Sequence, residues 1–65
     1  MKTERVITKT GNEVGYPPIG SVGTGTTVGF FRVQFVPDDD AHLPPDCPRE
    51  EFEHYELTIF DVKRA

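Results

Sequence analysis

Several features that would assign this 65-residue sequence to a class of protein are missing from it. Cys47 is its only cysteine, so the chain cannot form an internal disulfide, which is the usual covalent support of small secreted domains. No apolar run is long enough to span a bilayer, and residues 1–5 lead into only two consecutive apolar residues, unlike a signal peptide. We therefore expect a soluble, cytoplasmic protein with no membrane partner.

Catalytic and metal-binding signatures are missing as well. His42, Cys47 and His54 do not form the paired ligand spacing of a zinc site, and the neighbouring Asp46 disfavours a reactive thiolate at Cys47. A domain of this length buries only about 60% of the surface that its unfolded chain exposes, which leaves little material for a deep active site. We expect one domain over residues 1–65 that is not an enzyme and has no catalytic residue, cofactor or metal.

What the sequence does contain is a strongly apolar stretch, Val28–Val36. From Phe31 onward, apolar and polar residues alternate with the period of a half-buried strand, which places Phe31, Val33 and Phe35 on one face. Each fully buried aromatic side chain contributes roughly 1.5–3 kcal/mol of transfer free energy, so a small chain can hardly leave this stretch in water. It is expected to be the central strand of the fold.

The N-terminal half is expected to form a hairpin and a loop. Glu4–Thr10 is rich in β-branched residues, and Gly11-Asn12 followed by Glu13–Tyr16 predicts a turn and a short return strand. Ile19–Gly29 contains four glycines and is expected to form a loop or a bent approach to the central strand, with a bulge at Gly29.

The C-terminal half begins with Pro37–Pro48, which predicts an exposed loop because it contains four prolines and four aspartates; Leu43 is expected to anchor it. Residues 49–64 have both helical and strand periodicity. A helix would leave Leu57 and Phe60 spread around its circumference. We therefore expect one helical turn at Pro48–Phe52 and a strand from about His54 to Lys63.

These elements predict an all-β or mainly β fold. The last strand would pair antiparallel with the central strand, and their shared inner face would consist of Phe31, Val33, Phe35, Tyr55, Leu57 and Ile59. Four further apolar residues would need a second layer to cover them: Phe30, Val36, Phe60 and Val62. The expected architecture is a small antiparallel sheet or a half-open SH3-like or OB-like barrel, in which the N-terminal hairpin or a second copy of the chain supplies that layer.

Charge is distributed unevenly along the chain. The formal net charge is −4, but residues 38–61 contain nine acids and one base, for a local charge of −8, and the remainder has a charge of +4. Charge speeds the encounter with an oppositely charged protein, and apolar anchors supply affinity. The leading hypothesis is therefore a non-catalytic protein-binding module, an inhibitor or an accessory subunit, that contacts a basic patch on a larger protein. The expected contact residues are Asp38, Asp39, Asp40, Leu43, Glu50, Glu51, Glu53, Glu56 and Phe30.

Two other functions remain open. In the first, the chain is a homo-oligomeric structural or assembly protein in which Phe30, Phe60 and Val62 are buried against a second subunit. In the second, Phe30, Arg32 and Tyr16 stack the bases of a single-stranded nucleic acid. Nucleic acid is the less expected partner, because phosphates repel a protein with a net charge of −4.

Overall fold

A computed structural model describes residues 1–11 and 15–65 of the chain. Its regular elements within these residues are five β-strands and two short 3-10 helices, at Asp40–His42 and Arg49–Glu51. The strands are β1 (Lys2–Thr8), β2 (Val22–Gly29), β3 (Arg32–Pro37), β4 (Tyr55–Thr58) and β5 (Val62–Arg64). Within the described residues, no helix is both long and apolar enough to cross a membrane.

The strands form one antiparallel sheet in the order β4-β3-β2-β1-β5. β4 and β5 lie at opposite edges of this sheet, although only Ile59, Phe60 and Asp61 separate them along the chain. The sheet therefore curls until its two edges approach each other, which produces a half-open barrel. This architecture confirms the predicted mainly β fold class.

The core lies inside the curl, where side chains of successive strands face each other. Its buried residues are Val6, Val33, Phe35, Tyr55, Leu57 and Val62. Val62 is thus covered by the barrel itself and needs no second subunit. The predicted inner face is confirmed at Val33, Phe35, Tyr55 and Leu57. It is wrong at Phe31 and Ile59, which are 55% and 39% exposed.

The predicted central strand, Val28–Val36, is divided between two strands. β2 ends at Gly29, Phe30 and Phe31 form a turn, and β3 begins at Arg32, which lies opposite Gly29. The register of this pair shifts just before Gly29, which confirms the predicted bulge. Because the chain reverses its direction here, Phe31 belongs to the turn and not to the inner face.

The predicted strand from His54 to Lys63 is divided as well. Its antiparallel pairing with the central strand is confirmed, since β4 pairs with β3. The strand nevertheless ends at Thr58, because the chain turns through residues 59–61 to reach the other edge of the sheet, where β5 pairs with β1. Ile59 consequently lies in a turn.

At the N terminus, β1 has β2 on one side and β5 on the other. The predicted turn at Gly11-Asn12 and return strand Glu13–Tyr16 fall largely outside the described residues. Tyr16, which is described, is half-buried and packs against the core.

Ile19–Gly29 was predicted to form a loop or a bent, bulged approach to the central strand. The loop is wrong for residues 22–29, which form β2 in the middle of the sheet, with a register shift only between Thr27 and Gly29. Glycines usually indicate a loop, but Gly25 is buried where neighbouring strands come close. A Cβ atom at this position would lie 2.9 Å from Val6 Cγ2 and 3.2 Å from Val33 Cγ1. Glycine therefore lets core side chains of β1 and β3 approach each other across β2, and this permits a tight curl.

The segment after β3 follows the prediction. Leu43 is 9% exposed, which confirms that it anchors the loop. The hydroxyl of Tyr55 donates a 2.7 Å hydrogen bond to the carbonyl of His42 and ties the loop to β4. The helical turn predicted at Pro48–Phe52 is confirmed as the second 3-10 helix.

Candidate binding surfaces

Three phenylalanines form a cluster where two turns of the barrel meet. Phe30 and Phe31 form the β2–β3 turn, and Phe60 lies in the β4–β5 turn. The ring centroids of Phe31 and Phe60 are 5.7 Å apart in a stacked arrangement, and those of Phe30 and Phe31 are 6.1 Å apart. The backbone N–H of Ile59 donates a 3.0 Å hydrogen bond to the carbonyl of Phe31, which joins the two turns. We call Phe30, Phe31 and Phe60 the aromatic tip.

The aromatic tip exposes a large amount of apolar surface. The exposed fractions are 95% for Phe30, 55% for Phe31 and 65% for Phe60. An aromatic side chain presents 150–250 Å², so the exposed part of the tip amounts to roughly 300–500 Å². Apolar patches of this size are among the largest on monomeric proteins and are often functional.

The backbone of Phe31 is strained. Its φ of 61° lies in the left-handed region, and it is the only non-glycine residue among those described with a positive φ. A bulky side chain is uncommon there, since glycine or asparagine adopts this conformation at lower cost. The strain occurs at the residue whose ring links the two turns of the aromatic tip.

Replacing Phe31 with glycine is expected to change the free energy of unfolding by less than about 1 kcal/mol. Relief of the left-handed conformation contributes about 1–2 kcal/mol, which offsets the loss of the half-exposed ring and its contact with Phe60. Urea unfolding followed by far-UV circular dichroism measures this. Phe31→Ala is the matched control, because it removes the ring and keeps the strain, and it is expected to be less stable than Phe31→Gly by about 1 kcal/mol. Equal stability of the two variants would contradict a strained Phe31.

A buried carboxylate holds the turn that presents Phe60. Asp61 is 9% exposed, and one of its oxygens accepts a 2.6 Å hydrogen bond from the hydroxyl of Thr10. The other accepts from the backbone N–H of Thr58 at 2.8 Å and from its hydroxyl at 3.0 Å. Burial by itself raises the pKa of Asp61, but these hydrogen bonds, together with one from Tyr16, outweigh burial and hold the pKa below its ordinary value.

A charged pair lies beside the β2–β3 turn of the aromatic tip. Arg32 is the first residue after the β2–β3 turn, its side chain is 67% exposed, and it lies 3.6 Å from the carboxylate of Glu56. Arg32 and Glu56 thus place one cation and one acid beside the β2–β3 turn.

Two of the acids predicted to contact a partner are paired within the chain. Asp38 accepts hydrogen bonds from the guanidinium of Arg5, and Asp40 accepts one from that of Arg49. The hydrogen bond from Arg5 lowers the pKa of Asp38 below its ordinary value. Arg49 also donates to the carbonyl of Pro37 at 3.0 Å. These contacts fold the beginning of the acidic segment back onto the end of β3.

Other predicted acids remain available. Asp39 caps the first 3-10 helix by accepting a 2.8 Å hydrogen bond from the N–H of Ala41. Glu56 lies 2.8 Å from Nε2 of His54 as well as near Arg32. Within the described part of the chain, five exposed acids take part in no ion pair: Asp39, Asp46, Glu50, Glu51 and Glu53. We call these five residues together with Asp38 and Asp40 the acidic end.

A shallow groove of about 500 Å³ opens in the loop beside these acids. Pro44, Pro45 and Pro48 line it, so we call it the proline groove. Leu43 and the charged residues Asp40, Arg49 and Glu50 also contribute to its lining. The groove therefore has apolar walls and an acidic border.

The predicted contact residues do not form one surface. Phe30 precedes β3, whereas Asp38–Asp40 follow it, and a strand of six residues spans roughly 20 Å. Phe31 was not among the predicted contact residues, and Phe60 was predicted to contact only a second copy of the chain. Adjacent apolar pairs that break the alternation, Phe30-Phe31 and Ile59-Phe60, are the sequence signal that indicates them. The chain has two separate candidate surfaces, the aromatic tip and the acidic end.

Two further observations bear on function. Across residues 1–11 and 15–65, no three His, Cys, Asp or Glu side chains lie close enough together to hold a metal ion. Comparison with protein-family models, with curated proteins and with solved structures finds no match for this chain. The two surfaces are therefore the features of this chain that bear on its function.

Proposed function

We propose that this chain is a small, non-catalytic protein-binding module whose main contact surface is the aromatic tip. The single observation that supports this proposal most directly is the exposure of three phenylalanine rings on two turns that a backbone hydrogen bond holds together. Phe30 is 95% exposed, so its ring contributes almost no buried apolar surface to the stability of the fold. A complex in which a partner buries this ring gains the free energy of removing it from water.

The size and shape of the aromatic tip indicate the kind of site that it fits. Burial of roughly 300–500 Å² at about 25 cal/mol per Å² gives a gross gain of roughly 7–12 kcal/mol. Association costs about 4–15 kcal/mol in lost freedom of motion, so the tip alone supports a weak complex on a flat surface. A hairpin turn inserted into a cleft makes additional contacts on its flanks. This favours an inhibitor or an accessory subunit.

The acidic end is a second contact surface for a basic patch on a larger protein. Five of its acids take part in no ion pair within the described residues, so their charge is available to a partner. Because β3 separates the acidic end from the aromatic tip, a basic surface attracts the acidic end and not the tip. The two surfaces therefore contact different regions of one partner, or two partners.

A single-stranded nucleic acid is less well supported by the geometry. Of the three residues predicted to stack bases, Phe30 is exposed on the aromatic tip. Arg32 lies beside Glu56, and Tyr16 packs against the core. The three do not present one open aromatic and cationic face.

The proposal is tested by capturing proteins from the native host on the immobilised chain. The wild-type chain is expected to retain a specific protein that Phe30→Ser does not retain, while the melting temperature of this variant stays unchanged because the replaced ring is 95% exposed. Ile19→Ser is the matched control, since Ile19 is also exposed, at 55%, and lies outside the tip. The control is expected to retain the protein.

Three results decide the outcome. Undiminished retention by Phe30→Ser contradicts the role of the aromatic tip, and equal loss with Ile19→Ser indicates nonspecific adsorption. Retention of a labelled single-stranded oligonucleotide and of no protein supports the nucleic-acid alternative instead.

The acidic end has a test of its own. Replacement of Glu50, Glu51 and Glu53 by glutamine is expected to weaken the capture of the partner protein and to make that capture less dependent on salt concentration.

A further inference from the structure

We infer that the end of the barrel beside the aromatic tip is a binding pocket for a small aliphatic group, and that this group is a leucine or isoleucine side chain of the partner protein. The inference rests on the proposed function, since it adds a second contact to the complex that the tip forms. It names the chemistry that the partner presents next to the tip.

A cavity of about 120 Å³ lies inside the curl of the sheet. Four strands and one turn supply its apolar lining: Val6 of β1, Gly25 of β2, Val33 of β3, Val62 of β5 and Ile59 of the β4–β5 turn. The three valines are buried, whereas Ile59 is 39% exposed. The valines therefore form the floor of the cavity, and Ile59 borders its opening. We call this cavity the barrel pocket.

The opening of the barrel pocket adjoins the aromatic tip. Ile59 precedes Phe60 in the chain, and its backbone N–H donates a 3.0 Å hydrogen bond to the carbonyl of Phe31. Thr27 also lines the pocket, and it lies opposite Val33, the second residue of β3 after the β2–β3 turn. A partner that covers the rings of the tip therefore lies against the opening as well.

The lining of the barrel pocket favours an apolar group that is attached to a polar carrier. A water molecule in a cavity needs about two to four polar partners, and the valine floor offers none. The charged residues of the lining keep contact with solvent: Glu4 and Arg64, which form an ion pair at 3.2 Å, and the exposed Lys63. A peptide matches this arrangement, because its side chain is apolar and its backbone is polar.

The volume of the barrel pocket sets the size of the group. Pockets for whole drug-sized molecules measure about 300–1,000 Å³, so this one suits a single side chain. An apolar cavity of about 150 Å³ accepts benzene, and one of about 120 Å³ therefore accepts a branched group of about four carbons more readily than a large aromatic ring. Leucine and isoleucine carry such a group.

Titration of the isotope-labelled full chain with neutral alcohols, followed by NMR chemical shifts, is the experiment. From ethanol to isopentyl alcohol, which carries the leucine side chain, the affinity is expected to rise about fourfold for each added carbon and to level off with longer alcohols. The expected dissociation constant of isopentyl alcohol is in the millimolar range. The amide signals of Thr27, Val33 and Val62 are expected to shift most.

Variants at the lining assign the binding to the barrel pocket. Thr27→Leu fills the pocket and is expected to bind isopentyl alcohol at least about tenfold more weakly than the wild type. Thr27→Val is the matched control, because it keeps the volume and is expected to bind like the wild type. Ile59→Ala widens the opening at a residue that is 39% exposed, and it is expected to shift the levelling-off to longer alcohols, whether or not Thr27→Leu folds.

Capture of the host protein connects the barrel pocket to the partner. Isopentyl alcohol, but not ethanol at the same concentration, is expected to release the protein that is retained through Phe30, and Thr27→Leu is expected to retain less of it than Thr27→Val. Alcohol affinity that does not rise with chain length, or undiminished capture by a folded Thr27→Leu chain, overturns the inference. If no alcohol binds and a host protein is still captured through Phe30, the inference fails and the proposed function stands. If the alcohols bind and no host protein is captured through Phe30, the proposed function fails, and the assignment of the group to a partner protein fails with it.

Discussion

A chain in which alanine replaces Gly23 is expected to lose at least about 3 kcal/mol of unfolding free energy. The added Cβ would overlap the carbonyl oxygen of Val36 and lie 2.7 Å from the Cα of Pro37 and 2.9 Å from Cε1 of Phe35. Two of these atoms belong to the backbone of the paired strand β3, and the third belongs to a ring that is 0% exposed, so none can move away cheaply.

The loss is large compared with the stability of so small a domain. A chain of 65 residues has a total unfolding free energy of roughly 3–10 kcal/mol, so Gly23→Ala is expected to lose about a third of it or more and to unfold at a clearly lower temperature than the wild type. Thermal and urea unfolding followed by far-UV circular dichroism measure the difference.

Gly29→Ala is the matched control for Gly23→Ala. Gly29 lies in the same strand, but no heavy atom would come within 4 Å of its Cβ and its φ is not in the left-handed region. The control is expected to stay within about 0.5 kcal/mol of the wild type. Similar stability of the two alanine variants would show that β2 and β3 do not approach each other as closely as described.

Replacing Asp61 with alanine is expected to cost about 3 kcal/mol. The substitution leaves the N–H of Thr58 and the hydroxyl of Thr10 without their acceptor in a partly buried turn, and a lost hydrogen bond to a charged group costs about 1.5–3 kcal/mol. Asp46→Ala is the control, since Asp46 is exposed and takes part in no ion pair among the described residues. It is expected to change stability by less than about 0.5 kcal/mol.

The contribution of Asp61 depends on pH. Its pKa in the folded chain lies below that of an unfolded aspartate, about 3.9, so the ionised group stabilises the fold above that pH. This contribution is lost as the pH falls through the folded pKa. The stability difference between wild type and Asp61→Asn is therefore expected to be constant from about pH 5 to 7 and to shrink below about pH 4. A difference that stays the same at pH 3 would contradict the role of the charge.

Asp61 also connects the fold to the aromatic tip. Its hydrogen bonds to Thr58 close the turn that places the ring of Phe60 against that of Phe31. We expect Asp61→Ala to weaken both the fold and partner capture, whereas Phe30→Ser weakens capture alone. This contrast separates a residue that positions the tip from one that contacts the partner.

Part of the core could be predicted because periodicity is a local property of a strand. The alternation over Val33–Phe35 and Tyr55–Leu57 extends over only a few residues, and it correctly identified two paired strands and their inner face. The helical turn at Pro48–Phe52 followed from equally local signals, a proline and the acids after it.

The turns of the aromatic tip could not be predicted in this way. In the sequence, an apolar residue in a turn cannot be distinguished from one in the adjoining apolar strand. In addition, Phe31 has a φ of 61°, a backbone conformation that phenylalanine rarely adopts. The ring of Phe60, from a distant part of the chain, contacts Phe31 in that conformation. Gly25 led to a wrong prediction for a similar reason. A glycine indicates a loop when only the sequence is known, and its role in β2 depends on the positions of Val6 and Val33 on the neighbouring strands.

By itself, then, the sequence determined the β class, the paired strands of the core, the anchored proline-rich loop and the uneven charge. Only the tertiary structure decided which phenylalanines are exposed and which acids are paired. Arg5 and Asp38 are 33 positions apart, and no local pattern shows that they meet. Composition and periodicity act over a few neighbouring residues, whereas exposure and ion pairing depend on the curl of the sheet, which brings distant residues together. The same curl joins the two turns that form the aromatic tip.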